Sequence, residues 1–228
     1  FNPGRKLTDI AGDAGMTPVL LKNPEASAFR PEADRDTESL FHGVPAPEKR
    51  FGHNLAGKVS IILAGAAGEG VQSTAEMLAL AAISCGLSVT KKGSYPVTVG
   101  VGFSLAEVII STKEIHYTGI AGIDAVMATS REGLQRALPR IEAMKSGSVY
   151  LDASLDRPET GAELVHRDYR GPLGYRSASL LCAAHYLSRS GIFPIEALLE
   201  ALSASRAGRA VDAAELLKAV EEMERAGV

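Results

Sequence analysis

The sequence predicts an α/β protein: a doubly wound, mostly parallel, Rossmann-like sheet with helices on both faces, ended by C-terminal helices and preceded by an extended N-terminal arm. Three observations carry that expectation. From residue 58 onward, short apolar runs alternate with helical patterns, as strand–helix–strand units do. After about residue 174 the pattern is helical alone. Residues 1–55 hold six of the 11 prolines and no helical or strand period that lasts.

The arm is expected over residues 1–55 and the α/β domain over 56–228. The arm scatters its apolar residues (Leu7, Ile10, Val19, Leu20, Leu21, Phe29, Leu40 and Phe41) and has too few to bury a core of its own. Stretches such as "PVLL" and "SLF" suit anchors docked on another surface better than a solvated linker. In the domain, "KVSIILAG" at 58–65 reads as a buried strand, and residues 70–86 as a helix rich in alanine that can lie close on a sheet. Gly86 ends that helix, and "LSVTKK" follows as a short strand. Strands are expected at 104–112, 124–130, 147–154 and, weakly, 162–168, with a helix at 131–145. A helix over about 177–190 stops at Gly191, and Pro194 opens the next. Asp212 with Glu215 three residues on forms a capping box for the last helix, with Val211 and Leu216 as its staple and Gly227 as its end.

Composition removes several function classes. A net charge of −3 gives no field that favours nucleic acid or an anionic membrane, and there is no Trp to stack bases. The most apolar helix is too short to span a bilayer and carries Glu76. Cys85 and Cys182 each stand alone in an apolar helical pattern, so Cys-ligated zinc or an iron–sulfur cluster within this chain is not expected. Buried thiols of this kind suit a reducing cytoplasm.

The "GAAGEG" stretch, residues 65–70, tests as a poor nucleotide loop. Aligned to a dinucleotide fingerprint it offers Gly65, Ala67 and Gly70, so a methyl group stands where the pyrophosphate needs closest approach. The end of the second strand reads "TKKGS" in place of the acid that NAD requires, although Lys91 and Lys92 would suit the 2′-phosphate of NADP. No Walker lysine follows, and Glu69 would face any phosphate. Gly65, Gly68 and Gly70 then make either a tight strand-to-helix turn or a loop that meets a partner or its cofactor. Elsewhere, "HRD" at 166–168 lacks the other kinase elements, and Ser104 lacks the second glycine of a nucleophile elbow. Cys182 and His185, three apart on a helix, read as core or surface residues and not as ligands, and His116 and Tyr117 as solvent-edge residues that close a strand. No catalytic set or metal set assembles.

The stretch "GAAGEGVQSTAEMLALAAISCGLSVTKKGSYPVTVGVGFSLAEVIISTKEI" resembles the γ subunit, or γ domain, of the 2-oxoacid:ferredoxin oxidoreductases. The family has a strand, G-x-G-G-x-G, a small-residue helix, G-x-x-V, a Tyr-containing loop, R-G-G-x-S and a strand ending in I-S. The matching positions are Gly65, Gly68 and Gly70; Gly86 and Val89; Tyr95; Gly102 and Ser104; and Ile110, Ser111 and Ile115. "IDAVMATSREGL" is similar to a further family segment, so the resemblance covers residues 57 to about 206. Ala67 departs from a family glycine, and Gly100 and Val101 stand where Arg-Gly is usual.

The resemblance implies a cytoplasmic subunit without a catalytic set of its own. The complex would decarboxylate a 2-oxoacid oxidatively to an acyl-CoA and pass electrons to ferredoxin. Thiamine diphosphate, Mg2+ and [4Fe-4S] clusters would sit in α, β and ferredoxin-like δ partners, and this chain would help enclose the active site and the coenzyme A approach. The partner- or CoA-facing candidates are Gly65, Gly68, Glu69, Gly70, Lys91, Lys92, Ser94 and Tyr95. Lys91, Lys92 and Ser94 would receive an anionic group such as a CoA phosphate, or else stay solvated or pair with a neighbour. The competing expectations are a stand-alone NADP-binding Rossmann-like protein and a structural adaptor that keeps the γ fold.

Overall fold

The computed structural model describes residues 47–96, 102–205 and 211–225; the expected arm up to residue 46, Gly100, Val101 and Gly227 lie outside them. The apolar run "KVSIILAGA" forms β1 (Lys58–Ala66), which sits in the middle of the sheet with Ile61, Ile62 and Leu63 wholly buried. A strand covered on both faces has no polar side to display, so it reads as a continuous apolar run. The order then continues as α1 (Val71–Ser84), β2 (Ser88–Ser94), β3 (Phe103–Ser111), β4 (Ala125–Ala128), α2 (Arg131–Glu142), β5 (Ser148–Asp152) and β6 (Glu163–Arg167). A 3-10 turn at Tyr175–Ser177 leads into α3 (Ala178–Ser190), followed by α4 (Ile195–Ala204) and α5 (Ala213–Arg225).

The six strands lie in the order β2-β3-β1-β4-β5-β6. β1, β4, β5 and β6 pair in parallel, while β3 runs antiparallel to both β1 and β2. The reversal follows from connection length: only eight residues separate β2 from β3, fewer than the crossover that would bring the next strand back in the same direction. The sheet is therefore mostly parallel, with β3 as its one reversed strand.

Both faces are covered, as expected. Val59, Ile61 and Leu63 of β1 face the layer of α1 and α3, against which α4 and α5 pack in turn. Ile62, Ala64, Leu105, Val126 and Val149 face Ala137 and Ile141 of α2 and Met144 just beyond it. Each buried Ile or Leu contributes about 1.5–3 kcal/mol relative to exposure, so β1 alone anchors both layers. Helix α2 starts where Ser130 Oγ accepts the Gly133 N–H at 3.1 Å, a cap worth about 1 kcal/mol. Gly133 then touches the sheet itself: a Cβ there would lie 2.4 Å from the Ala64 carbonyl carbon and the Gly65 nitrogen.

The helical C-terminal part follows its sequence signals. Gly191 takes a left-handed conformation (φ 59°), and its N–H bonds the Leu187 carbonyl at 2.9 Å, closing α3. Pro194 directly precedes α4. Asp212 Oδ1 accepts the Ala214 N–H, and both Val211 and Leu216 are buried. Residues 47–55 lie against the domain: the Arg50 and Phe51 N–H groups donate to Ser84 O, and Asn54 donates to Ile192 O and Gly191 O. His116 and Tyr117 do not close a strand. β3 ends at Ser111, and Tyr117 sits in the loop beyond it, its hydroxyl accepting from Lys58 Nζ at 3.1 Å.

Candidate functional site

In an open α/β sheet, ligands collect at the carboxyl edge where neighbouring strands send their helices to opposite faces. Here that point lies between β1 and β4, since β1 leads to α1 on one face and β4 to α2 on the other. The turn Ala66–Gly70 closes over it.

The crevice is filled by the protein's own anion. Glu69 is 1% exposed, and its Oε2 accepts the Ala66 N–H at 2.9 Å and the Thr129 hydroxyl at 2.8 Å. Arg170 Nη1 lies 2.8 Å from Oε1, an ion pair whose N–H is too poorly aligned to count as a hydrogen bond. The same nitrogen donates to Thr129 O at 3.1 Å. Gly65 makes room for this arrangement, because a Cβ there would stand 2.6 Å from Glu69 Oε2. The glutamate that looked like an obstacle to phosphate is the group that holds the turn. Strand β1, the end of β4 and the loop after β6 meet on one carboxylate.

A second buried acid completes this edge. Asp152 at the end of β5 is 1% exposed; its Oδ2 accepts the Tyr169 and Arg170 N–H groups, and its Oδ1 accepts the Ser154 N–H and hydroxyl. It thereby fixes the backbone that carries Arg170 towards Glu69. Sequence reasoning missed Asp152, Arg170, Thr129 and Gly133. The only local signal was an acid closing the strand "SVYLD".

The expected site residues divide into three groups. Gly65, Gly68, Glu69 and Gly70 share the turn; Gly68 is exposed, and Glu69 is turned inward. Lys91 faces α1, where its Nζ donates to Gln72 O at 3.2 Å and lies 4.0 Å from Glu76. Lys92 and Ser94 point to the other face, in register with Glu107 and Leu105 of β3. Strand alternation thus separates the two lysines. Tyr95 follows at the same edge with 71% of its surface exposed, and Tyr175 rises beyond Gly70 at 49%.

Lys92, Ser94 and Glu107 line a cavity of about 360 Å³ together with Arg136 and Arg140 of α2. Glu107 is buried and pairs with Arg140 through Oε1 at 2.5 Å. The Arg136 guanidinium stands 5.0 Å from the centre of the Phe103 ring.

The remaining polar candidates are structural. His166 Nε2 lies 3.1 Å from both Asp152 O and Leu155 O, and Asp168 Oδ1 accepts the Arg170 and Gly171 N–H groups in a turn. Ser104 Oγ accepts from the Gln72 amide. Cys182 is buried, as expected, and of the two places open to His185 it takes the core. Burial pushes the Cys182 thiol well up and the Tyr150 hydroxyl up to about 12, and burial pulls His185 down to about 4. His185 Nδ1 lies 2.9 Å from the Tyr169 hydroxyl. Among the described residues no helix is long and apolar enough to cross a membrane.

Residues 60–223 match the family pyruvate ferredoxin/flavodoxin oxidoreductase. No curated protein matches the sequence. Solved structures share the fold. A 2-oxoglutarate:ferredoxin oxidoreductase from Magnetococcus marinus, solved with 2-oxoglutarate, coenzyme A and succinyl-CoA bound, matches at 21% identity and TM-score 0.63 over 75% of this chain. This chain covers 31% of that one, so it spans about a third of its length. The γ subunit of a keto/oxoacid ferredoxin oxidoreductase from Geobacter sulfurreducens PCA matches at 20% identity and TM-score 0.56, over 73% of this chain and 94% of that one. The pyruvate oxidoreductase subunit PORC of Thermotoga maritima matches at 18% identity and TM-score 0.55, over 75% and 95%. With the family profile spanning most of the domain and the γ-type fold alongside it, the chain belongs to the pyruvate ferredoxin/flavodoxin oxidoreductase family.

Proposed function

We propose that this chain is a γ-type subunit of a thiamine diphosphate- and iron–sulfur-dependent 2-oxoacid oxidoreductase complex that forms an acyl-CoA, and that it packs against the catalytic subunits without a catalytic set of its own. The observation that carries this reading, beyond family membership, is the Glu69 carboxylate, which occupies the crevice where an independent α/β enzyme would hold its ligand. The residues present do not fit the other cofactors either. Cys85 and Cys182 are buried in separate helical elements and cannot supply a cluster's thiolates, and a diphosphate at the turn would meet Glu69. In this reading α and β partners hold thiamine diphosphate with Mg2+, and β or a ferredoxin-like δ partner holds the clusters.

The carboxyl edge, with Gly68, Tyr95 and Tyr175 exposed, is the face assigned to those partners; aromatic side chains are the usual anchors of such contacts. The coenzyme A approach is assigned to the same edge, flanked by Lys91, Lys92 and Ser94. Residues 1–46 are assigned to assembly.

Co-purification of the full chain with its native partners tests the reading. Partners carrying thiamine diphosphate and iron–sulfur clusters are expected, and a partnerless chain that binds NADP would overturn it. In the purified complex, joint Lys91→Ala and Lys92→Ala substitution is expected to raise the CoA concentration needed for half-maximal turnover; an unchanged requirement removes CoA from this edge.

A further inference from the structure

The core between β5 and α3 holds polar groups that the proposed function leaves unused. Tyr169, Cys182 and His185 are wholly buried, with Tyr150 and Tyr186 buried beside them. Cys182 and His185, three residues apart on α3, reach the same phenol: the Tyr169 hydroxyl lies 2.9 Å from His185 Nδ1 and beside the Cys182 thiol. The rings form a chain, with centres 5.9 Å apart from Tyr169 to His185, 5.6 Å from His185 to Tyr150 and 5.6 Å from Tyr150 to Tyr186. Burying three phenols and an imidazole carries a desolvation cost that Phe and Leu would avoid.

Among the described residues, Tyr169 is the tyrosine whose hydroxyl meets an imidazole. Tyr150 lies beside Arg189 and Tyr186 beside Ser190, a cation and an alcohol that take up no proton at neutral pH. Tyr117 and Tyr175 accept hydrogen bonds from Lys58 and Arg176. The difference matters when a phenol loses an electron. Burial pushes the Tyr169 hydroxyl far up, so phenolate is not available to be oxidised. An oxidised phenol is instead a strong acid, and it settles as a neutral radical only where its proton has a base to go to. Burial keeps His185 neutral, with one ring nitrogen able to accept. Asp152 takes the Tyr169 N–H and fixes the loop that carries the phenol, so acid and base are in place before any electron moves.

From this geometry we infer that Tyr169 and His185 form a proton-coupled redox site, where the chain takes up a one-electron oxidising equivalent. The electron leaves the Tyr169 ring for a one-electron oxidant, such as a high-valent metal complex or a peroxide-derived radical. The hydroxyl proton crosses to His185 Nδ1, giving a neutral phenoxyl radical and an imidazolium. Reduction returns the electron to the ring and the proton to the oxygen. Tyr150 and Tyr186, without a base of their own, relay the oxidising equivalent to Tyr169 along the chain of rings.

Flash photolysis of the purified full chain with a photogenerated ruthenium polypyridyl oxidant tests this, with the radical followed by absorbance and trapped for electron paramagnetic resonance. A tyrosyl signal that outlives those of the exposed Tyr95, Tyr117 and Tyr175 is expected. Tyr169→Phe keeps the ring and should abolish that long-lived signal. His185→Gln keeps a hydrogen-bond acceptor but no base, and should cut the yield about tenfold or more. Slower formation in deuterium oxide reads the same proton transfer in the unaltered chain, with no substitution to disturb the core. No long-lived signal in the unaltered chain, or one that survives Tyr169→Phe, overturns the site. A yield untouched by His185→Gln, or formation as fast in deuterium oxide as in water, overturns the role of His185. Because the measurement needs no partner, its failure is separable from failure of co-purification.

Discussion

Lowering the pH from 7 to 5 protonates His185 in an unfolded chain well before it does so in the folded one. The imidazole is 1% exposed, with its Nδ1 2.9 Å from the Tyr169 hydroxyl and its ring edge-on to Tyr150 at 5.6 Å. Burial is the main cause that lowers its pKa from 6.5 to about 4; Arg189 and Arg167 add to it, and Glu224 opposes it. Between those values the unfolded chain binds more protons, so this contribution to stability is complete above about pH 6.5 and is lost as pH falls towards 4. At about 1.4 kcal/mol per tenfold, the ceiling is about 3.4 kcal/mol, and the loss by pH 5 is about 2 kcal/mol. Carboxylates also titrate in this range, so the informative quantity is the difference between the natural chain and His185→Gln. Urea unfolding followed by far-ultraviolet circular dichroism at pH 7.5, 6 and 5 measures it. The substitution costs stability at pH 7.5, and the gap should narrow by about 2 kcal/mol at pH 5. A gap that stays constant with pH would refute the assignment of a neutral, buried imidazole.

Replacing Glu69 by Ala leaves the Ala66 N–H and the Thr129 hydroxyl without their acceptor and strands Arg170, so a loss of about 2–4 kcal/mol in urea unfolding is expected. A loss under about 0.5 kcal/mol would show that the carboxylate does not hold the turn. Gly133→Ala should destabilise by about 2–3 kcal/mol, against the ordinary gain from removing a helical glycine, because its Cβ would press into β1. A rise in melting temperature would contradict that packing. Tyr95→Ala with Tyr175→Ala should leave chain stability within about 0.5 kcal/mol and reduce recovery of partners in co-purification. Undiminished recovery would remove this edge from the interface.

Elements were legible in the sequence where burial imposes a pattern that the chain must repeat. "KVSIILA" could only be a strand covered on both faces, and Gly191, Pro194 and Asp212 punctuated the C-terminal helices where the backbone needed them. The direction of β3 was not legible, since a strand has the same side-chain period whichever way it runs; only the short spacing between residues 94 and 103 carried that information. Lys91 and Lys92 looked like one basic cluster because adjacency in sequence is easily taken for adjacency in space, yet in a strand it means opposite faces. Glu69 was the hardest to judge. Its buried state depends on Thr129 and Arg170, and nothing near "GAAGEG" announces partners so distant. Gly133 was hidden for a similar reason: inside a helix it reads as a weak residue, and its use is to let α2 touch β1.

The distance between Glu69 and its partners also bears on how the chain is made. Thr129 lies 60 positions further on, and Arg170 later still. During synthesis from the N-terminus, β1, α1 and the glycine turn leave the ribosome long before the groups that neutralise and hydrogen-bond Glu69. Until Arg170 has emerged and Asp152 has fixed its backbone, a carboxylate must either stay in water, with the turn open, or be buried unpaired at high cost. A nascent or truncated chain ending before residue 170 therefore cannot close this turn. The segment that looks most like a local motif is among the last to become rigid, and the face assigned to partner subunits is completed only after the whole sheet is in place.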